Sequence, residues 1–264
     1  MNEYVSIIKA NTYLRRIESG VSKPLILKCN NRGVECEYVV KLKTKSDNGI
    51  LGLSFEIIAT RLAQKLDIDT PDIAVVEITE EFANSIEKID IKNEVINNLG
   101  LNFESKFNLG NTTWLRGQSI TNNIKQPALN TFMFDAMIQN PDRTYDKPNI
   151  LMRKDNIILI DHEKGFSFVR AILNKLEPWE VSKLSFLRDH IFYSGLKSKS
   201  EDLIVYFNSM EKRLDDIKDY EIDELFLEIP EEWGKDYQTD IKDHLMKIIN
   251  NSDKFIHELK ILLA

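Results

Sequence analysis

The stretch on which the reading of this chain turns is Asn140-Pro141-Asp142-Arg143-Thr144-Tyr145-Asp146-Lys147-Pro148-Asn149-Ile150-Leu151, with Ile158-Leu159-Ile160-Asp161-His162-Glu163 shortly after it. Its first part is a polar, proline-punctuated loop over 141–149. Next come a short strand over 150–153, a turn at Lys154-Asp155-Asn156 and a strongly apolar strand from Ile157 to Ile160, which ends in a carboxylate. Upstream, Leu129, Phe132, Met133, Ala136 and Met137 recur on one face of a helix over 128–139, and Pro141 cannot continue it. Helix, polar loop, tight hairpin and strand-end aspartate are therefore packed into fewer than forty residues.

Outward from this stretch the chain reads as two unlike halves. Toward the N-terminus, segments 5–17, 24–30 and 36–43 alternate or run apolar, as an antiparallel meander does, and Asn30 to Gly33 supplies residues that tolerate positive φ in a hairpin turn. Glu18 to Pro24 is a loop of small residues between the first two strands. After Gly49 the period changes: Leu53, Ile57, Ile58, Leu62 and Leu66 share a helical face with Glu56 beside it, and Thr70-Pro71 ends the pattern. Ile73 to Ile78 reads as a strand, 80–100 as polar helix, and 103–109 as a short strand leading out of this half. From Glu177 onward the pattern is helical, interrupted near Gly195 and at Pro230 to Gly234. The expectation is an α+β protein: an N-terminal antiparallel sheet lobe over 1–110 and a mainly helical C-terminal lobe over 111–264.

Composition narrows the functional classes. With 264 residues, 42% apolar and 29% charged, and only ten glycines and seven prolines, the chain has the make-up of a globular protein rather than a disordered or fibrous one. A net charge of −7 argues against nucleic-acid binding by bulk charge. No apolar run approaches a membrane span of about 20 residues, and Met1-Asn2-Glu3-Tyr4 lacks the basic start of an export signal, so a cytoplasmic location without membrane contact is expected. Cys29 and Cys36 flank the hairpin turn and are expected to be reduced structural thiols. Trp114, Trp179 and Trp233 are read as core residues; His190, His244 and His257, which have no metal spacing, as surface or helix positions. The acidic stretch from Asp215 to Glu224 is read as a solvated helix face.

The order Asp142, Asn149, Asp161 has a chemical meaning. Phosphoryl transfer asks little covalent chemistry of a protein; it asks that metal ions be fixed against the phosphates and an acceptor hydroxyl be aimed at phosphorus. A loop Asp can orient that hydroxyl, a nearby Asn can hold one Mg²⁺, and a strand-end Asp can hold the metal that bridges the phosphates. This is the protein-kinase order of catalytic-loop Asp, catalytic-loop Asn and metal Asp. Tyr38-Val39-Val40-Lys41 ends a strand with a lysine suited to gripping phosphates, Lys43 being a rival on the same side, and Glu56 on the next helix is placed to pair with it. Loop residues Ser19, Gly20, Ser22 and Lys23 occupy the place of a phosphate-covering loop.

Together these segments resemble the HipA-like kinases, a bacterial branch of the protein-kinase-like fold. The resemblance rests on Ser19-Gly20-Val21-Ser22-Lys23-Pro24, Tyr38-Val39-Val40-Lys41, Phe55-Glu56-Ile57-Ile58-Ala59-Thr60-Arg61-Leu62-Ala63, Asn140-Pro141-Asp142-Arg143, Pro148-Asn149-Ile150-Leu151 and Leu159-Ile160-Asp161-His162. It implies a two-lobed protein-kinase-like fold and ATP- and Mg²⁺-dependent phosphorylation of serine or threonine. Asp142 would be the catalytic Asp, Asn149 and Asp161 the metal ligands, and Lys41 the phosphate-holding lysine. ATP would lie in the cleft, with the linker from Phe103 to Gly110 contacting adenine through its backbone. Some relatives phosphorylate translation components and are restrained by a separate antitoxin, so a protein substrate and a regulatory protein are the implied partners.

Two points depart from the common kinase pattern. Asp142 and Asn149 are seven positions apart instead of five, so the loop must bulge by two residues, and Asp146 becomes a second candidate near the metal. His162-Glu163 replaces the usual Phe-Gly after the metal Asp; His162 is read as a packing residue. Arg143, beside the catalytic Asp, either steadies the loop through a carboxylate or binds phosphate. A small-molecule alcohol kinase and a non-catalytic nucleotide-binding module are the alternative readings.

Overall fold

The two-residue loop Arg32-Gly33 adopts positive φ at both positions (53° and 86°), the geometry that matches the twist of paired strands, and the Gly33 amide donates to Asn30 Oδ1 at 2.7 Å. The hairpin it closes joins β2 (Leu25–Asn31) to β3 (Val34–Lys41), with β1 (Ser6–Arg16) antiparallel on the other edge of β2. This is a computed structural model that describes residues 5–18, 22–107, 110–115, 117–171, 176–197 and 203–264. It contains both helices and sheets, and the chain groups into two compact units. One comprises Met1–Ile57, Pro71–Leu109 and Glu228–Gly234; the other comprises Ile58–Thr70, Gly110–Leu227 and Lys235–Ala264.

In the first unit, β4 (Ile73–Ile78) and β5 (Gly100–Lys106) complete a closed barrel in the order β1-β2-β3-β5-β4. Two expectations are corrected here. The sheet is not purely antiparallel: the barrel closes through a parallel pairing of Ser6–Lys9 with Ala74–Glu77. And the segment read as a strand leading out of this half is a central strand, hydrogen-bonded to both β3 and β4. The reason lies in β5 itself, whose Phe103 and Glu104 are both buried, as suits a strand with neighbours on each side. Leu25, Leu27, Cys29, Tyr38, Val40, Ala74 and Val76 fill the interior. Helix α1 (Ile50–Lys65) comes after β3, and α2 (Glu80–Ser85) and α3 (Ile89–Ile96) after β4. Thr79 caps α2 by accepting from the Phe82 amide.

In the second unit, β6 (Thr112–Thr113), β7 (Ile150–Arg153) and β8 (Asn156–Leu159) form a three-stranded sheet, and α4 (Lys125–Met137) lies between β6 and β7 in the chain. The region after Glu177 is less regular than its periodicity suggests. Residues 181–189 form short 3-10 turns, and the helices are α5 (Tyr193–Lys197), α6 (Ile204–Asp216), α7 (Asp219–Leu227), α8 (Gln238–Ile249) and α9 (Ser252–Leu263). Gly195, expected as a break, lies inside α5; a Cβ there would meet Ile120 Cδ1 at 2.8 Å, so glycine is needed for close approach rather than for flexibility. Trp114 and Trp233 are buried as expected; His190 and His244, expected at surface or helix positions, are also buried, His244 within α8. The His244 ring stacks on Phe168 at 3.8 Å and its Nε2 bonds the Met137 carbonyl at 2.9 Å. Part of the acidic stretch is paired: Glu221 and Glu224 face Lys65, and Asp223 faces Lys242. Cys29 and Cys36 are free thiols. No helix among the described residues is long and apolar enough to cross a membrane.

Candidate active site

The polar loop is built from the end of α4. Gln139 takes φ 49°, its amide bonds the Ala136 carbonyl at 3.3 Å and the Asn140 amide bonds the Asp135 carbonyl at 2.9 Å. This pair of bonds is a Schellman C-cap, with glutamine in the left-handed position usually given to glycine and Pro141 shortly beyond. The same turn brings Asn140 back onto the side chain of Asp135, with Nδ2 donating to Oδ1 at 3.0 Å, while Asn140 Oδ1 accepts from the Asp142 amide at 3.1 Å.

Asp135 is the anchor of this loop, a role that its local pattern did not reveal. It sits in the apolar run Phe132-Met133-Phe134-Asp135-Ala136-Met137 with no exposed surface, and Arg143 is equally buried. The guanidinium donates through Nε and Nη2 to the two carboxylate oxygens of Asp135, at 2.5 and 3.3 Å. Its remaining Nη1 donates to the carbonyls of Asn149 at 2.5 Å and Ile160 at 3.3 Å. His190 supplies a third contact, Nε2 to Asp135 Oδ2 at 3.0 Å. Because the Phe192 amide donates to His190 Nδ1 at 3.1 Å, the ring proton lies on Nε2 and the imidazole is a neutral donor. Burial alone would push the Asp135 carboxyl upward, but Arg143 and His190 outweigh it and hold the group well below the usual carboxylate range. Burial likewise lowers His190, against the pull of Asp135. The signal available in the sequence was a single carboxylate inside an apolar helical run, which must find a partner if it is buried.

Of the two roles left open for Arg143, the structure contains carboxylate pairing. The consequence is local: one guanidinium ties the backbone at Asn149 and the backbone just before Asp161 to the same helix. Asn149 and Asp161 both adopt left-handed φ, 48° and 58°, a conformation that asparagine and aspartate tolerate best among non-glycine residues. The Ile160 amide bonds the Asn149 carbonyl at 3.2 Å, so the two residues are held by one hydrogen-bond cluster. Strained backbone gathered in this way marks functional sites more often than plain scaffolding.

The two-residue insertion is absorbed by a turn. The Thr144 amide bonds the Lys147 carbonyl at 3.0 Å, which pushes Tyr145 and Asp146 outward, both exposed. Asn149 therefore still reaches Asp142, with Nδ2 to Oδ2 at 3.4 Å. Lys147 and Lys164 approach the other oxygen of Asp142 at 3.5 and 3.8 Å. His162 is buried, edge-on to Phe134 at 5.8 Å, in the manner of a packing residue.

In the other unit, Lys41 and Glu56 meet. Nζ donates to Oε1 at 2.6 Å with both side chains almost entirely buried. The rival Lys43 is committed elsewhere, its ammonium on the Leu99 carbonyl at 2.5 Å. Ser22 and Lys23 lie where the Ile17 amide closes the loop onto the Pro24 carbonyl at 2.9 Å, and Lys23 makes an exposed ion pair with Glu18 at 3.6 Å. Ser19 and Gly20 lie outside the described residues.

Among the described residues, no group of three or more His, Cys, Asp or Glu side chains could form a metal cage. Mg²⁺ does not require one: it is commonly held by one or two carboxylates together with phosphate oxygens and water. Asp161 and the amide oxygen of Asn149 are hard donors of the kind it takes. A family model described as HipA-like kinase matches residues 11–258, nearly the whole chain. No curated protein matches the chain.

Proposed function

The chain belongs to the HipA-like kinase family, and from that premise we propose that it is an ATP- and Mg²⁺-dependent phosphotransferase acting on a serine or threonine hydroxyl of a protein. The observation that carries this reading is the guanidinium of Arg143, which fixes the backbone at Asn149 and next to Asp161 from a buried carboxylate. A transfer site needs this kind of preorganisation, because its catalysis is positioning and electrostatics. Asp142, hydrogen-bonded by Asn149, would accept and orient the acceptor hydroxyl. Asn149 and Asp161 would hold Mg²⁺, which when bound neutralises charge on the phosphates. Lys41, kept aimed by Glu56, would hold the α- and β-phosphates, with Ser19, Gly20, Ser22 and Lys23 supplying further phosphate contacts. Arg143 is on this view a positioning residue. Residues 1–110 would form the nucleotide-binding part and 111–264 the part that receives the acceptor.

The test has a binding arm and a transfer arm. ATP with Mg²⁺ should raise the melting temperature of the wild type, since a ligand at a hundredfold excess over Kd adds about 2.7 kcal/mol to native stability. Asp161→Asn should lose the Mg²⁺-dependent part of that shift. Asp142→Asn should keep it while losing transfer to protein acceptors by about 10²-fold or more, on the order expected for a positioned base. Full turnover in the Asp142→Asn protein would remove that residue from the mechanism.

A further inference from the structure

Beside the polar loop, within the same unit, lies a half-open hollow of about 460 Å³. Three pieces of chain line it. The first contributes Trp114 together with Gly117, Gln118, Ser119 and Ile120; the inserted turn contributes Tyr145; and the segment after His190 contributes Ile191, Phe192, Ser194 and Gly195. The last two pieces are joined to the loop that carries Asp142. The Ile191 amide bonds the Arg143 carbonyl at 3.0 Å, Thr144 and His190 form an isolated β-bridge, and Tyr145 Oη lies 2.8 Å from Ser194 Oγ. The hollow therefore belongs to the same hydrogen-bonded cluster as Arg143, although no residue of it takes part in the proposed transfer.

Its lining has a definite chemistry. The floor is made of buried Trp114, Ile120, Ile191 and Phe192, with Trp114 and Phe192 edge to face at 5.1 Å. The rim is made of exposed Gly117, Gln118, Ser119, Tyr145 and Ser194. None of these residues carries a charge. Gly195 lets Ile120 pack closely into the floor, because a Cβ there would meet Ile120 Cδ1 at 2.8 Å. Among the described lining residues, a phosphate, carboxylate or ammonium would find no counter-charge. A polyol would leave hydroxyls on an apolar floor without partners, which is costly. An apolar side chain suits the floor, and the peptide groups on either side of it suit a rim of hydroxyls and amides.

We propose that this hollow is an acceptor subsite that seats one apolar side chain of the polypeptide to be phosphorylated, at a fixed distance along the chain from its acceptor hydroxyl. The assignment of the occupant as the acceptor rests on the phosphotransferase reading; the hollow and its chemistry do not. It gives the two-residue insertion a purpose, since Tyr145, pushed outward by that insertion, forms one wall.

Full-length wild type and Ser119→Trp, which plugs the rim from an exposed position, are applied to an array of short peptides. Each peptide carries a central Ser or Thr, and each flanking position is occupied in turn by Leu, Phe, Ser, Asp or Lys. Ser119→Ala serves as the control that adds no bulk. Wild type and Ser119→Ala should retain peptides with Leu or Phe at one fixed offset about tenfold or more better than those with Asp or Lys there, the size expected for burying one apolar side chain. Ser119→Trp should lose that preference while its ATP-dependent melting shift stays unchanged. A lack of any offset preference, or a preference that survives in Ser119→Trp, overturns the subsite. So does a result in which no peptide is selected but a neutral saccharide or nucleoside raises the melting temperature of wild type and not of Ser119→Trp; the hollow then takes a small molecule. The array needs no turnover, so absence of phosphoryl transfer counts against the kinase reading alone and leaves the binding result to decide the subsite.

Discussion

Each of the two units buries a carboxyl group completely, and the two groups meet opposite fates. Asp135 in the second unit is held ionised by the guanidinium of Arg143, with Asn140 and His190 completing its partners. Glu104 in the barrel interior has the Cys29 thiol, donating to Oε2 at 3.5 Å, while Oε1 has no hydrogen-bond partner among the described residues. Burial pushes Glu104 up to about 8, so at neutral pH it is mainly protonated. The difference is one of partners, since neither side chain is exposed to solvent. Where a charge is retained in the interior, its directional bonds hold the backbone at Asn149 and Ile160. Where it is given up, the group becomes a weak polar filler in a hydrocarbon core.

The sharpest way to break this comparison is to remove the charge that is retained. Asp135→Ala leaves Arg143 buried without a counter-charge, and unfolding in urea should show a loss of about 3–5 kcal/mol. Pairing Asp135→Leu with Arg143→Met should regain part of that stability, as apolar replacement of both partners often does, but not phosphoryl transfer. A double variant that recovers both would show that the network is scaffold only.

The complementary experiment fixes the neutral state of the other carboxyl. Glu104 has a higher pKa folded than unfolded, so its contribution to stability is complete below the ordinary carboxylate value of 4.5 and is lost as pH rises through about 8. Within that window the loss runs at about 1.4 kcal/mol per pH unit. Glu104→Gln removes the dependence, so the stability of the variant relative to wild type should climb with pH and level off beyond the window, a gain on the order of a few kcal/mol. Equal pH profiles for the two proteins would mean that Glu104 is ionised in the native state and the contrast with Asp135 is false.

The smallest effect concerns the thiol. Burial, and after it the proximity of Glu104, raises Cys29 far above its ordinary range, and Cys36 is only partly buried. A thiol reagent added to the native protein should label Cys36 quickly and Cys29 only on unfolding. Fast labelling of both would show that the barrel interior opens readily, and would weaken the case for a dry Glu104.

How much of this was legible in the sequence varies with the range of the interactions involved. The strands read as 24–30, 36–43, 73–78 and 150–153 fall within two residues of β2, β3, β4 and β7, and the long helices were legible too, because alternation and the 3.6-residue repeat are properties of neighbouring positions. The pairing of Lys41 with Glu56 was anticipated from the order of elements. The 3-10 turns over 181–189 were not, because their apolar residues are spaced as in a helix and the difference lies in which carbonyl each amide finds. Asp135 and His190 were missed as partners in the Arg143 network because they lie eight residues before and 47 residues after that arginine in the chain, and no local pattern links them.

By itself, the sequence determined the α+β class, most element positions, the Asp142–Asn149–Asp161 order and the family to which the chain belongs, since each is written in residue type and spacing. Only the tertiary structure decided that the barrel closes through a parallel pair, that Lys41 and not Lys43 pairs with Glu56, that Arg143 turns inward to Asp135, and that Glu104 is left almost without a partner. Those outcomes depend on which distant groups share a dry interior, where an unpaired charge costs far more than it does in water. Burial of that kind is set by the folded chain as a whole.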